Sequence, residues 1–538
     1  MALSDTKPWW QGSFGYQIYI RSFADSNDDG FGDFQGIRSK LPYLKDLGVD
    51  FVWITPFYPS PMADWGYDVA EYCDIDPTFG TLDDFDSLVE QAHANGIKIV
   101  ADLVPNHTSD QHEWFKEAKK GPENEFRDYY VWKDPAPGGG PPNNWVAYFG
   151  GPAWTFDETS GQYYMHLFLP EQPDLNWRNP KILEEFDQIL RFWLERGVDG
   201  FRIDVAGGLM KDEQFRSNPE ITPWDPEGDR WEQFESFEHR YDIFQKDNHE
   251  IFRRWRSIFD EYGAYLHGET YILEPSGLAE LLPGDGLHGG FWFEPMHIEW
   301  DPSEIRRSVV EVSELVGESI LWAAGSHDMP RSPTRFVPRQ ETSTRPNNND
   351  IGRSRTLALN VLFSFLPGVP VIYQGEELGL IDGDVPEEHK LDPVALNDNQ
   401  FGGRDGCRTP MPWSSGNNNG FSETKPWLIS KQRDATETAE AQIGKLGSWH
   451  SLYKELFHTR RSLPDITGLD VTWLDNGQGS VIWYERGPVG VVVNTSSETE
   501  SIKLSLDSEI VFQTSQVEIL ESGEVIVSGV GALVYLRD

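Results

Sequence analysis

The chain has 538 residues, with 45 Lys and Arg against 88 Asp and Glu, and a formal charge of −43. That balance excludes nucleic acid and anionic membrane surfaces as partners, because both would repel it. The length implies two or three domains and a large core, and the 21 Trp, 19 Tyr and 31 Phe supply rings for it.

Gly15 to Arg21 reads as a first strand. The loop Asp25 to Asp33 then places oxygen side chains at Asp25, Asn27, Asp29 and Asp33, with Gly30 for a sharp turn and Phe31 to offer its carbonyl. This matches the first nine positions of a calcium loop. Gly36 stands where an EF-hand carries Glu, and a turn held by Asx hydrogen bonds explains the same residues. Leu41 to Leu47 is helical, Asp50 to Ile54 is a second strand, and a polar-aromatic loop, Asp64-Trp65-Gly66-Tyr67-Asp68, follows. A third strand, Ile97 to Val104, leads to Asp102 and His107. From Pro105 to Asn179 the strand–helix alternation stops, and Gly138-Gly139-Gly140-Pro141-Pro142 marks a loop.

Ile182 to Arg196 has helical apolar spacing, and Gly197 fits its C-terminal cap. Phe201, Ile203 and Val205 then alternate as a strand, which turns Arg202 and Asp204 to the other face. An Arg and an Asp on a buried strand are costly unless matched. A guanidinium beside Asp204 is expected to keep it ionised, as a nucleophile or metal ligand requires; a structural ion pair explains the heptapeptide equally well. A short strand from Ala264 ends in His267-Gly268-Glu269-Thr270, Ile320 to Ala324 leads to Ser326-His327-Asp328, and Pro370 to Gln374 is a further strand. A long polar loop to Trp413 holds Arg404 and Arg408. After a helix at Ser448 to Arg461 the pattern changes to short β-rich runs.

Asp, Glu or His at the C-terminal ends of successive strands, with helices between, is the arrangement by which a (β/α)8 TIM barrel carries its chemistry. The expected fold is therefore α/β: a barrel from 1–104 and 179–462, a subdomain at 105–178 inserted after strand 3, and a C-terminal antiparallel β-sandwich domain at 463–538. The four strand-end stretches resemble the characteristic blocks of glycoside hydrolase family 13, the α-amylase superfamily. Gln172-Pro173-Asp174-Leu175-Asn176-Trp177 and Arg404-Asp405-Gly406-Cys407-Arg408-Thr409-Pro410-Met411 resemble its oligo-1,6-glucosidase and maltase branch. The resemblance implies a retaining, exo-acting α-glucosidase. It implies that Asp204 would be the nucleophile, Glu269 the acid and base, and Asp328 the transition-state stabiliser, with the carboxylate pair roughly 5–5.5 Å apart. It further implies that Asp64, His107 and His327 bond the glucose, that Tyr67 stacks on it, and that Phe149, Phe168 and Gln172 form the wall. Arg408 would pair with Asp64 and exclude further sugar units, with Arg404 in the same closing loop. Asp25, Asn27, Asp29, Phe31 and Asp33 would hold a structural Ca2+ or Mg2+.

Two features depart from the family pattern. Gly325-Ser326 precedes His327-Asp328, where Asn is usual before the pair, and Ala206-Gly207-Gly208 follows Val205, a residue that in relatives accompanies α-1,6 preference. Maltose, isomaltose and sucrose are the expected substrates. The alternative is a glucosyl-transferring isomerase of the trehalose synthase or sucrose isomerase type. Cys73 and Cys407 make no disulfide framework, Met1 to Pro8 has no apolar signal core, and no run of about 18 apolar residues occurs. A cytoplasmic location without membrane partners is expected. The dispersed carboxylates suit a salt-adapted source, where repulsion is screened, or an ordinary acidic enzyme.

Overall fold

Eight parallel strands close on themselves. The computed structural model describes residues 7–337, 349–394, 403–474, 479–505, 507–520 and 523–537; the first six residues of the N-terminal segment read above lie outside them. In chain order, β1 (Gly15–Ile18), β2 (Phe51–Ile54) and β3 (Lys98–Leu103) belong to the barrel, while β4 (Trp132–Lys133), β5 (Trp154–Asp157) and β6 (Gln162–Met165) form a separate antiparallel sheet. The barrel resumes with β7 (Gly200–Ile203), β8 (Tyr265–Gly268), β9 (Gly289–Trp292), β10 (Ile320–Trp322) and β11 (Val369–Tyr373), and β11 pairs with β1.

The helices between the strands follow their sequence signals. Asp33 caps α1 (Phe34–Leu47) through the Gly36 amide, and Thr81 and Asp84 make a capping box at α2 (Leu82–Ala94). In α3 (Pro180–Glu195), Ile182, Phe186, Ile189, Leu190 and Trp193 recur at helical spacing and are buried. Gly197 follows with φ +93° and stops it. α4 (Arg230–Glu235) and α5 (Asn248–Tyr262) precede β8, and α6 (Pro275–Leu281), α7 (Pro302–Leu315), α8 (Asn349–Phe365) and α9 (Trp449–Ser462) complete the ring.

Register decides which strand ends meet. Asp102 on β3 lies opposite Arg202 on β7, and Arg202 lies opposite His267 on β8. Residues one hundred positions apart thus occupy one level of the barrel. β1 stops at Ile18, short of the expected Arg21, because the next amides leave the ladder: Tyr19 N–H donates to Gln374 Oε1 and Ile20 N–H to Thr55 Oγ1. The sixth strand, β9, escaped the sequence reading; Gly-Gly-Phe-Trp has neither clear alternation nor a polar block at its end.

Two excursions rise on the side where the strands end. One contains the β4–β6 sheet. The other, residues 206–247 between β7 and α5, was not anticipated. Phe234, Phe237 and Ile243 from it pack with Val131, Trp145, Trp154 and Leu167 in one apolar cluster. The wall is therefore built from both segments. After α9, β12 (Val471–Leu474), β13 (Val481–Arg486), β14 (Val489–Asn494), β15 (Thr499–Lys503), β16 (Ser508–Gln513), β17 (Val517–Ile519), β18 (Glu524–Ser528) and β19 (Gly531–Arg537) follow. The five-stranded sheet β12-β13-β14-β19-β16 faces the three-stranded sheet β15-β18-β17, with Val481, Val492, Ile502, Val527 and Leu533 buried together. Fully buried Arg486 and Tyr484 tie this unit to the barrel by donating to the carbonyls of Phe365 and Leu362. No helix among the described residues is long and apolar enough to cross a membrane.

One close approach pins the level of the site. A Cβ built on Gly200 would lie 2.4 Å from the Tyr265 carbonyl oxygen, so β7 and β8 pair here only through a glycine. Gly200→Ala is expected to destabilise the fold by about 1–3 kcal/mol. An unchanged melting transition would show that the strands can part without cost.

Candidate active site

The ladder of the barrel continues past its strands. Asp204 N–H donates to Leu103 O and Glu269 N–H to Ile203 O, both at 2.8 Å. These bonds fix the backbones of both residues at the barrel rim. Between them the chain is strained: Val205 has φ +45°, a left-handed conformation that a β-branched side chain disfavours. Two bonds to one residue hold it there, Val205 N–H to Glu269 Oε2 at 2.9 Å and Ala206 N–H to Glu269 O at 3.1 Å.

One guanidinium serves three carboxylates. Arg202 Nη1 lies 2.9 Å from Asp102 Oδ1 and 2.5 Å from Asp204 Oδ1, and Nη2 lies 2.9 Å from Glu269 Oε1. Asp102 is fully buried and also accepts from Trp53 Nε1 and the Tyr67 hydroxyl. Burial pushes the Asp102 carboxyl up to about 7, against the pull of Arg202. Burial likewise pushes Asp204 up, with Glu269 and Asp102 adding repulsion and Arg202 opposing. Arg202 favours the charged form of Asp204, as expected, but shares its guanidinium with Asp102 and Glu269. A single positive charge is divided among buried Asp102 and Asp204 and partly exposed Glu269, and it does not offset the cost of burying the first two as anions.

A second ionic group lies across the rim. Arg404 Nη2 pairs with Asp64 Oδ1 at 3.0 Å, and Arg404 Nη1 with Asp328 Oδ1 at 3.1 Å. The expected partner of Asp64 was Arg408. Arg408 instead reaches Asp328 Oδ1 at 2.8 Å and donates from Nε to the His327 carbonyl at 2.9 Å. It ends the short turn Asp405–Arg408 with its side chain beneath His327, whereas Arg404 precedes that turn and reaches across. Asp68 folds the Asp64 loop by accepting from the amides of Ala63 and Asp64. Burial pushes Asp64 up to about 6, against Arg404. For Asp328, burial is outweighed by His327, Arg408 and Arg404, which hold its carboxyl well below the usual range.

Both histidines stay neutral. Burial drives His107 down to about 4 and His327 well below its ordinary value. Gln17 Nε2 donates to His327 Nδ1 at 2.6 Å, so the ring proton sits on Nε2, which faces the Tyr67 hydroxyl at 2.8 Å and Asp328 Oδ2 at 3.1 Å. His107 Nε2 lies 3.0 Å from the Tyr67 carbonyl. The Tyr67 ring stacks on His327, with centroids 5.4 Å apart.

These groups surround an open pocket of about 1030 Å3, its mouth included. Asp64, Tyr67, His107, Phe149, Phe168, Asp204, Glu269, Asp328 and Arg404 border it. Gln172, Arg202, His327 and Arg408 lie behind its wall, each at most 2% exposed. Gln172, expected in the wall itself, instead supports Asp64 from behind, with Nε2 3.3 Å from Asp64 Oδ2. Three contributions went unread in the sequence. Trp231 and Phe244 enter from the 206–247 excursion. Lys211 pairs with Asp174 at 2.7 Å and bonds Asn106 at 2.8 Å, bracing the chain beside His107. Asp392 seats Arg404. None belongs to a short motif, so spacing offered no signal; the nearest was the excess of aromatic rings in 224–244.

The 25–33 loop is a stack of Asx turns. Asp25 accepts from the amides of Asn27, Asp28 and Gly30, Asn27 from Asp29, and Asp29 from Phe31. Asp33 is committed to Ser26 and to the α1 cap. Among the described residues no three His, Cys, Asp or Glu side chains converge as metal ligands. The donor set is nonetheless all oxygen, which suits a hard divalent cation.

Comparison with known proteins agrees in kind. The family described as alpha amylase, catalytic domain, matches residues 17–467. A probable α-glucosidase of Rhizobium meliloti is 37% identical over 94% of this chain and 92% of its own. An oligo-1,6-glucosidase of Parageobacillus thermoglucosidasius is 34% identical over 95% and 94%. Among solved structures, the α-glucosyl transfer enzyme XgtA superposes with a TM-score of 0.89 at 35% identity, covering 99% of this chain and all of that one. The trehalulose synthase MutB of Pseudomonas mesoacidophila MX-45 gives 0.87 at 31% identity, with coverage of 99% and 100%.

The shared guanidinium makes a stability prediction. Arg202→Met leaves Asp102, Asp204 and Glu269 without their cation and is expected to cost about 3–5 kcal/mol. Carboxyls pushed up by burial bind protons more tightly folded than unfolded, so stability is lost as pH rises through about 7, where Asp102 titrates. The deficit should be larger at pH 8 than at pH 5. Denaturant unfolding that shows the same deficit at both values would contradict this electrostatic account.

Proposed function

The chain belongs to the α-amylase family, glycoside hydrolase family 13, and from that premise we infer that it is a retaining, exo-acting α-glucosidase of short α-glucosides. The observation that carries the reading is one Arg202, behind the wall of the pocket, bonded to both Asp204 and Glu269 in its lining, with Asp64 and Arg404 paired in the same lining.

Asp204 attacks the anomeric carbon of a bound glucose unit, and its carboxylate oxygen forms the bond as the glycosidic C–O bond breaks. Glu269, as the general acid, gives a proton to the leaving oxygen in this step. Water enters next. Glu269, now a carboxylate, removes its proton, the water oxygen bonds the anomeric carbon, and Asp204 leaves. Two inversions give retention. Asp328, ionised under Arg404 and Arg408, accepts from ring hydroxyls and favours the distorted transition state. The neutral His107 and Tyr67 line the same side. The Asp64–Arg404 pair closes the pocket to longer non-reducing ends, which makes cleavage exo.

Transfer of the glucosyl unit is a second reading, favoured by the likeness to XgtA and MutB, whose names describe glucosyl transfer and trehalulose synthesis. The two readings share the covalent step and differ in what intercepts it.

We also propose that the 25–33 loop holds a structural Ca2+ or Mg2+ through Asp25, Asn27, Asp29, Asp33 and the Phe31 carbonyl. Its chemistry would be to neutralise a loop with four carboxylates within nine residues, Asp28 included.

Asp204→Asn and Glu269→Gln should each lower kcat on maltose, isomaltose and sucrose by at least about 100-fold, on the scale of general acid–base catalysis, with melting temperature retained. Near-wild-type rates in both would end the assignment. Product analysis on the same panel assigns transfer if isomeric disaccharides exceed glucose. Chelator should lower the melting temperature and Ca2+ restore it. An unchanged transition, with no bound ion in metal analysis, removes the cation proposal.

A further inference from the structure

Asp392 stands outside every motif, twelve residues before Arg404, in the loop that follows the last barrel strand. It is 1% exposed. Its carboxylate takes the inner edge of the Arg404 fork: Nε lies 3.1 Å from both Oδ1 and Oδ2, and Nη2 lies 2.7 Å from Oδ1. It also accepts the backbone N–H of Arg404 at 2.5 Å. Asp392 is itself anchored, because Asp405 Oδ2 accepts the amides of Leu391 and Asp392 at 3.1 and 3.2 Å. Backbone and side chain of Arg404 are thus fixed by one buried group.

A guanidinium has five N–H donors in a rigid plane. A carboxylate gripping Nε and Nη2 sets that plane, and the remaining donors can point only where the plane sends them. Here they reach Asp64 through Nη2 and Asp328 through Nη1. Those carboxylates differ in what else holds them. Asp328 has Arg408 and His327 besides Arg404. Among the described residues Asp64 has Arg404 as its one ion-pair partner. Misplacing Arg404 therefore reaches Asp64 far more than Asp328.

We propose that Asp392 is a positioning residue that aims Arg404 at Asp64 and so sets both the grip on the terminal glucose and the exclusion of longer non-reducing ends. The proposal deepens the α-glucosidase reading and rests on it. The two carboxylates on Arg404 behave differently with pH. Burial opposes ionisation in both, but Arg404 holds Asp392 down to about 2 whereas Asp64 stays up at about 6. Asp392 keeps its negative charge through the working range and holds Arg404 in place even where Asp64 takes a proton.

The test compares Asp392→Asn and Asp392→Glu with the wild type on maltose and on p-nitrophenyl maltoside capped at O4 and O6 of its non-reducing glucose. Wild-type turnover of maltose, with the capped substrate rejected, checks the underlying reading; its absence would fail that reading and not this inference. In Asp392→Asn, KM for maltose should rise at least tenfold while kcat stays within threefold, and the capped substrate should become cleavable. Asp392→Glu, which keeps the charge, should recover at least half of the change in KM. If Asp392→Asn does not fold, Asp392→Glu decides alone: its longer side chain displaces the fork, so KM rises at least threefold. KM within twofold of wild type in a folded Asp392→Asn, or in Asp392→Glu where Asp392→Asn does not fold, overturns the proposal. So does a loss confined to kcat with the capped substrate still rejected, which would place the effect at Asp328.

Discussion

One guanidinium among three carboxylates is the constraint on which this protein depends. Asp102, Asp204 and Glu269 come from three neighbouring strands and meet only because Arg202 stands between them. Burial strengthens every one of these interactions and raises the penalty for any carboxylate left unmatched. Burial accordingly pushes the Asp102 and Asp204 carboxyls up, against Arg202. A glycosidase needs carboxyl groups that can both carry charge and exchange protons, since a nucleophile must be charged while the group beside it must donate. The same electrostatics that threaten the fold thereby prepare the chemistry.

The strained backbone at Val205 belongs to the same arrangement. A left-handed valine persists only when its surroundings fix it, and here Glu269 does so through side chain and carbonyl. The acid and the chain next to the nucleophile are mechanically linked. Across the rim, Arg404 repeats the theme with Asp64, Asp328 and Asp392. The inner cluster has three carboxylates for one cation and invites a proton. The outer one adds Arg408, which keeps Asp328 charged. Asp328 and Asp392 are thus held below the usual range while Asp102 and Asp204 are pushed above it, because the outer group has two cations for its carboxylates and the inner one has one.

The excursions give the site its depth. A parallel barrel alone presents a shallow bowl of strand ends. The β4–β6 sheet and the 206–247 segment share one apolar cluster and raise aromatic walls around that bowl. Phe149, Phe168, Trp231 and Phe244 reach the pocket from these walls, not from the barrel.

The sequence by itself determined the barrel and its chemistry-bearing ends. Arg202 and Asp204 on an alternating strand, Glu269 after a short apolar run and Asp328 after another are local patterns, and local patterns survive in one dimension. α3, with its apolar stripe and closing glycine, was legible for the same reason. What only the tertiary structure decided were the partnerships. Arg404 and Arg408 lie four residues apart in one loop, and nothing in their spacing says which faces Asp64; that follows from where the short turn between them points. Gln172 and His327 were recognisable as polar residues near a site, but their burial behind its wall comes from packing around Tyr67. Asp392 and β9 carried no motif at all. Ion pairing between distant segments depends on where a fork of donors is aimed in space. That direction is set by contacts from several parts of the chain at once, which the order of residues along it does not record.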